Sequence, residues 1–363
     1  MKELLSILET SGDPENAPQL LEKLVRHAER SGASDIHVQT RQPNAEIAFR
    51  LDGVMTPPWA LSAELAERVC GRIKFLAQLK TYQESLPQDG RIDKSAFGIS
   101  NDIRVATYPT VTGEKIVLRI FGESRIRELA ELELPEDLEQ VLEGFLARAA
   151  GMLLLTGPAG SGKTTTIYAC LQHLAKCGGR HIITVEDPVE QIIPGIMQTE
   201  VNEPRGLTFS QAARHLLRQD PQVLVIGEIR DEETALIALR AALTGHMVIS
   251  TLHAGSCQRV IERLSSICTD SSLIAGSLDL VINQRLVRRL CKQCVGKGCP
   301  QCLDTGYQGR LPLLEHLRVD EAVVASIRAR EFNNILAKPT LRERAVALVE
   351  AGKTNTAEIQ RIL

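Results

Sequence analysis

The chain has 363 residues, enough for two or three domains that each bury their own core. Its 42 Lys and Arg against 45 Asp and Glu give a formal net charge of −3, and aromatic residues make up only 3%. Both values count against a nucleic-acid surface built on positive charge or on base stacking. No apolar run reaches the length of a membrane span, and Met1-Lys2-Glu3-Leu4-Leu5 lacks a signal-peptide core, so a cytosolic chain that meets a membrane only through a partner is expected.

In chain order, residues 1–17 read as a tail. Leu20, Leu21, Leu24, Val25 and Ala28 then recur at helical spacing, with Gly32 as a C-cap. Ile36 and Val38, then Ile47, Phe49 and Leu51, alternate with polar residues ahead of an Asp52-Gly53 turn, which is strand chemistry. Leu65, Val69, Ile73 and Leu76 mark a second amphipathic helix. Stretches at 88–92, 103–107 and 115–121, the last after a Thr112-Gly113 turn, form a β meander. Residues 18–121 are therefore expected to be a small α+β domain, and 122–135, charged and closed by Pro135, a linker. The remainder, 136–363, opens on a helix bearing Leu138, Val141, Leu142, Phe145, Leu146 and Ala149. Apolar strands at 152–156, 181–185, 223–227 and 247–251 then alternate with helical segments, the pattern of a mainly parallel sheet covered on both faces. This α/β domain ends in a helical part over 319–363, carrying Val323, Ile327, Leu341, Ala345 and Leu348.

The strand at 152–156 runs into Gly157, Pro158, Ala159, Gly160, Ser161, Gly162, Lys163, Thr164 and Thr165, and a helix-compatible run follows. A buried strand, a glycine-rich turn and a helix N-terminus make a phosphate-binding P-loop. Converging backbone N–H groups and the helix dipole hold the anion, Lys163 reaches the β- and γ-phosphates, and the Thr164 hydroxyl ligates Mg²⁺. Hydrolysis also needs an oriented water and charge compensation, which acids at neighbouring strand ends can supply. Glu186 follows the strand at 181–185, and Glu228 closes the run Val223-Leu224-Val225-Ile226-Gly227. His253 ends the next strand, either beside the γ-phosphate or as a hydrogen-bonded structural histidine; His246 sits one strand earlier with the same two readings.

Four of the nine cysteines are clustered as Cys291-x-x-Cys294 and Cys299-x-x-Cys302. Paired knuckles of this spacing place four thiolates around one tetrahedral Zn²⁺, a closed structural site; the other reading is a metal-free remnant that stays reduced. Only Val295-Gly296-Lys297-Gly298 joins the knuckles. Cys70, Cys170, Cys177, Cys257 and Cys268 are scattered and read as thiols.

Taken together, these segments resemble the hexameric secretion ATPases of type II secretion and type IV pilus systems. Ala33-Ser34-Asp35-Ile36-His37 is similar to the opening motif of that family's N-terminal domain, and Pro87-Gln88-Asp89-Gly90-Arg91 and Pro109-Thr110-Val111-Thr112-Gly113-Glu114-Lys115 to its meander. Residues 156–166 resemble its Walker A element and Glu186-Asp187-Pro188-Val189-Glu190 its aspartate box. Leu217-Arg218-Gln219-Asp220-Pro221 leads into Gly227-Glu228-Ile229-Arg230-Asp231, similar to its Walker B segment. Gly245-His246 and Ser250-Thr251-Leu252-His253-Ala254 resemble its histidine box. The likeness spans about residues 20–317, in the family's order.

The resemblance implies a RecA-like P-loop domain preceded by a PAS-like α+β domain, with the tetracysteine insert, 291–302, lying in the ATPase domain. It implies ATP and Mg²⁺ as ligands, with Zn²⁺ at the cysteines. Glu186 would activate water and Glu228 hold the Mg²⁺ shell, or the reverse. Arg91, Arg104 and Arg119 would reach the nucleotide of a neighbouring subunit, while Arg214 and Arg218, spaced i,i+4, would lie at the subunit junction. It further implies a homo-hexamer at the cytoplasmic face of the inner membrane, held there by a platform protein and driving pilin or pseudopilin assembly. Retraction and DNA-uptake motors of the same family are the alternative. Large assembly members carry a further N-terminal docking domain, whereas about 20 residues precede the first helix here, and the joint between the knuckles is shorter than in those members.

Overall fold

The computed structural model describes residues 16–41, 44–120 and 125–363. The expected tail lies outside these apart from residues 16 and 17, as do linker positions 122–124. The chain divides into two compact units, one reaching to Arg125 and including Arg288–Arg310, the other formed by Ile126–Val287 with Leu311–Leu363.

In the first unit, helix α1 (Ala17–Arg30) precedes β1 (Ala33–Arg41), β2 (Asn44–Leu51), β3 (Val54–Met55) and β4 (Trp59–Ser62). Helix α2 (Ala63–Leu76), β5 (Gln88–Ile92), β6 (Ile103–Thr110) and β7 (Gly113–Ile120) follow. The sheet runs β3-β2-β1-β7-β6-β5, with β4 also paired to β2, and its described ladders are antiparallel. The alternation read in the sequence sets its register: Ile36 faces Phe49 on one side and Leu118 on the other, and Val38 faces Ile47 and Ile116. These residues form one core with Leu20, Leu21 and Leu24 of α1 and Leu65, Val69 and Ile73 of α2. One sheet face is thus dry and the other polar, as period-2 patterning requires.

In the second unit, α3 (Glu136–Leu146) leads to β8 (Gly151–Thr156), α4 (Lys163–Cys177), β9 (Ile182–Glu186) and β10 (Met197–Glu200). Next come α5 (Phe209–Leu216), β11 (Val223–Ile226), α6 (Glu232–Leu243), β12 (Met247–Thr251), α7 (Cys257–Ile267) and α8 (Ser271–Ser277). The chain continues through β13 (Leu278–Leu290), β14 (Tyr307–Arg318), α9 (Glu321–Ala329), α10 (Leu341–Glu350) and α11 (Thr356–Ile362). The sheet order is β10-β9-β11-β12-β8-β13-β14, parallel from β10 to β13. Adjacent side chains of one strand enter opposite cores: Met152 and Leu154 join the layer with α5, α6 and α7, whereas Leu153 and Leu155 join the layer with α3 and α4. Hence these strands read as unbroken apolar runs.

Two expected boundaries shift. The linker at 122–135 is shorter, because Leu129 and Leu132, on a 3-10 turn, are buried in the second unit's core. The tetracysteine segment, expected within the ATPase domain, groups with the first unit, although the strands that carry it begin and end in the second unit's sheet. Leu303 packs on the first unit's core, and the Gly309 N–H donates to Asp52 Oδ2 at 2.8 Å.

Candidate nucleotide-hydrolysis site

The P-loop lies between the end of β8 and the first turn of α4, walled by β13. Gly157 and Gly162 adopt φ of +146° and +89°. A Cβ on Gly157 would stand 2.3 Å from the Gln284 carbonyl oxygen, and one on Gly162 2.7 Å from Gln284 Nε2. Both backbone conformation and space therefore demand glycine. The Gln284 side chain also accepts from Thr166 Oγ1 at 2.9 Å, fixing strand to helix behind the loop. Lys163 Nζ donates to the Gly157 and Pro158 carbonyls at 2.9 and 3.1 Å, so the ammonium arches over the loop. Burial pulls its pKa below the ordinary lysine value; Glu228 opposes this and the charge of Arg285 adds to it. A glycine cradle at a helix N-terminus, with two cations in Coulomb range of each other, fits a polyphosphate.

Lys163, Thr164, Glu186 and Glu228 line one cavity of 140 Å³, together with Tyr168 and Phe209. Side-chain braces hold its floor: Thr251 Oγ1 donates to the Gly227 carbonyl at 2.8 Å, and Thr156 Oγ1 donates to the Ala254 carbonyl and accepts from its N–H, both at 2.9 Å. The two acids differ in surroundings. Glu228 is ion-paired with Arg230, and His253 Nε2 lies 3.3 Å from its Oε2. Glu186 is 7% exposed and accepts from three neutral donors, Tyr168, Thr184 and Gln198. Thr164 and Glu228 bring hard oxygen donors to the cradle, the ligand type Mg²⁺ takes. His253 thus joins the acids, whereas His246 uses Nδ1 to cap the Ala241 carbonyl at 3.0 Å, the structural role. A larger hollow of 660 Å³ beside Leu336–Ala347 has no such cradle.

The three meander arginines stand in one row across the first unit's sheet: Arg91 pairs with Arg104, Arg104 with Arg119, and Arg119 with Asp35, which pairs with Arg50. Two of them have acidic partners within the same unit. Arg91 bonds Asp102, and Arg119 Nε donates to Asp35 Oδ1 at 3.0 Å. Burial raises the pKa of Asp35, but hydrogen bonds from Arg119 and Ser34 and the charges of Arg119 and Arg50 outweigh it, leaving the carboxyl below its usual value. A depressed folded value stabilises fully above the unfolded pKa of about 3.9 and loses that stabilisation as pH falls through the folded value. Asp35→Asn should therefore lower stability at pH 7, with the gap to the parent closing in stronger acid. The chain's one tryptophan, Trp59, packs on Phe49 with ring centroids 5.3 Å apart, so its fluorescence in an acid titration reads this unit. Arg214 pairs with Glu233, and Arg218 Nη1 donates to the Arg214 carbonyl at 3.2 Å.

The four Sγ atoms of Cys291, Cys294, Cys299 and Cys302 lie within 4.8 Å of one another, with neighbouring pairs at 3.7 and 3.8 Å. Thiolates ~2.3 Å from one tetrahedral ion stand ~3.8 Å apart, so the spacing fits Zn²⁺. The Cys299 and Gly306 N–H groups donate to Cys302 Sγ at 3.3 Å, fixing its direction. The four-residue joint packs closely because Gly306 lets it approach the start of β14: a Cβ there would stand 2.6 Å from the Gly296 carbonyl.

Sequence reasoning passed over Tyr168, Gln198, Gln284 and Arg285. Arg285 donates to Asn283 Oδ1 at 2.7 Å and to the Gly255 carbonyl at 3.1 Å, beside the histidine loop. Its signal was its place two residues past the strand position that pairs with Thr156.

A phosphate cradle at the end of β8, with acids at the ends of the parallel strands β9 and β11 and with β12 between these and β8, defines a RecA-like P-loop ATPase. The family model for "Type II/IV secretion system protein" matches residues 11–361, and the chain belongs to that family. It is 40% identical over 354 residues to the protein transport protein HofB homolog of Haemophilus influenzae, covering 97% of this chain and 74% of that protein. It is 37% identical over 376 residues to the type II secretion system ATPase E of Vibrio cholerae, covering 95% and 75%. Among solved structures, the Legionella pneumophila ATPase DotB matches with a TM-score of 0.72 at 23% identity, covering 95% of each chain. The pilus retraction motor PilT with bound ADP matches at 0.65 and 26% identity, covering 94% of this chain and 96% of that one. Among the described residues no helix is long and apolar enough to cross a membrane.

Proposed function

We propose that this chain is one subunit of a hexameric motor that hydrolyses ATP to drive assembly of a type IV pilus or type II secretion pseudopilus. The convergence of Lys163, Thr164, Glu186 and Glu228 on one cavity carries the chemistry. Relatives named for type II secretion, such as the Vibrio cholerae ATPase E, favour assembly. The likeness to PilT keeps retraction, and with it the DNA-uptake motors, as the second reading. Mg²⁺, when bound at Thr164, offsets phosphate charge. Glu186 takes a proton from the attacking water as its oxygen bonds to the γ-phosphorus; the bond to the bridging oxygen breaks, and ADP and phosphate leave. Glu228 orients the metal's water shell, with His253 supporting it. Arg91, Arg104 and Arg119 of a neighbouring copy complete the pocket, Arg91 and Arg119 exchanging Asp102 and Asp35 for phosphate, which Arg clamps in bidentate fashion. That exchange closes a head-to-tail ring, with Arg214 and Arg218 at the junction. The ring works at the cytoplasmic face of the inner membrane through a platform protein, with no direct contact to nucleic acid and no insertion into lipid.

The test is ATP turnover. Lys163→Ala should lose nucleotide binding and hydrolysis together, read by fluorescent-nucleotide titration and phosphate release; turnover at the parental rate would end the proposal. We also assign Zn²⁺ to the tetracysteine site. Metal analysis should find about one zinc per chain, and none in a Cys299→Ser/Cys302→Ser variant; a metal-free parent protein would show the reduced remnant instead.

A further inference from the structure

Tyr168, on the second turn of α4 and 4% exposed, lines the same cavity as Lys163 and meets Glu186 there. Its hydroxyl accepts from the N–H groups of Glu190 and Gln191, at 3.1 and 3.4 Å, and donates to Glu186 Oε2. A phenol has one proton and two lone pairs. With both lone pairs taken by amides, the proton is aimed at the carboxylate. The second oxygen, Oε1, accepts from Thr184 Oγ1 at 2.5 Å and Gln198 Nε2 at 3.1 Å. Gln198 in turn donates to the Gln191 carbonyl at 3.0 Å and accepts from the Ile193 N–H at 2.6 Å. Among the described residues no cation pairs with Glu186, so its direction is set by this neutral network alone. The network has one anchor on the P-loop helix, and that anchor is Tyr168.

We infer that Tyr168 is a positioning residue for hydrolysis: its hydroxyl fixes the direction of the Glu186 carboxylate and ties it, with the loop after β9, to the helix that begins at Lys163. Burial, with the adjacent Glu186, pushes the phenol pKa well up, so the hydroxyl keeps its proton throughout the working pH range. The inference rests on Glu186 being the base.

The experiment is a double-mutant cycle on the full-length protein. Tyr168→Phe keeps the ring and its packing and deletes the proton. Removing a hydrogen bond to a charged group costs about 1.5–3 kcal/mol, so kcat should fall roughly ten- to a hundredfold. The KM for ATP and the affinity for a fluorescent ATP analogue should stay within about twofold, since the P-loop contacts are untouched. Thr184→Val, which removes a donor at the opposite oxygen from the strand side, should show the same split of kcat from KM. In a Glu186→Gln background, where the base is already lost, Tyr168→Phe should lower the residual single-turnover rate no further. Equal loss in both backgrounds, or a fall in kcat matched by a rise in KM, would reduce Tyr168 to packing and overturn the inference. Parental turnover by Glu186→Gln alone is a separate result, which removes the base reading and the inference with it.

Discussion

Glu186→Gln should bind ATP as tightly as the parent protein and lose turnover by about 10²- to 10⁴-fold, the usual worth of a positioned general base; added Mg²⁺ should not restore it. Glu228→Gln should behave differently. Its charge acts to raise the Lys163 pKa, so it lies within Coulomb range of the P-loop lysine, and it is ion-paired to Arg230. A group that orients a metal's water shell costs about 10–100-fold in metal affinity when lost. Turnover by Glu228→Gln should therefore recover in part as Mg²⁺ is raised. Steady-state rates against Mg²⁺ concentration separate the two acids. If Mg²⁺ rescues Glu186→Gln and leaves Glu228→Gln unchanged, the roles are the reverse of those proposed.

The different surroundings of these acids were beyond the reach of sequence reading, although both positions were legible. A strand end carries its acid wherever an apolar run stops, and Glu186 and Glu228 each follow such a run. What surrounds each acid comes from other elements. Tyr168 looked like one more position of a helix-compatible run, and Gln198 sits on β10, whose four residues Met-Gln-Thr-Glu have neither alternation nor β-branched density to mark a strand. The core strands were readable for the opposite reason. Leu153 and Leu154 face different layers, so both must be apolar and the run is unbroken. The clustering of the four cysteine thiols was legible from spacing alone. Their grouping with the first unit was hidden, because it goes with the packing of Leu303 on that unit's core and with the Gly309–Asp52 bond, contacts between segments far apart in the chain. The linker ran too long because Leu129 and Leu132 make a pair too short to register as periodicity.

The largest stability effect should come from Lys74, a residue with no part in the nucleotide site. Ala66, Cys70 and Lys74 follow one another at i,i+4 on the face of α2 that meets the sheet, and Lys74 is 1% exposed. A charge on that face survives because Glu114 on β7 meets it, with Nζ to Oε2 at 2.7 Å, and because the Gln83 carbonyl accepts from Nζ at 3.2 Å. The surroundings are dry: burial pushes the Cys70 thiol up to about 12, and the charge of Glu114 adds to this. Glu114 Oε1 has no partner among the described residues, so the ammonium is the main compensation for a buried carboxylate. Lys74→Met leaves that carboxylate alone, and breaking a buried pair from one side costs about 3–5 kcal/mol. Lys74→Met/Glu114→Leu, which removes both charges, should return to the parental stability or exceed it, since apolar replacement of a buried pair is often neutral or favourable. Urea unfolding followed by Trp59 fluorescence measures both variants. A single variant within about 1 kcal/mol of the parent, the worth of an exposed pair, would mean that water reaches the two groups.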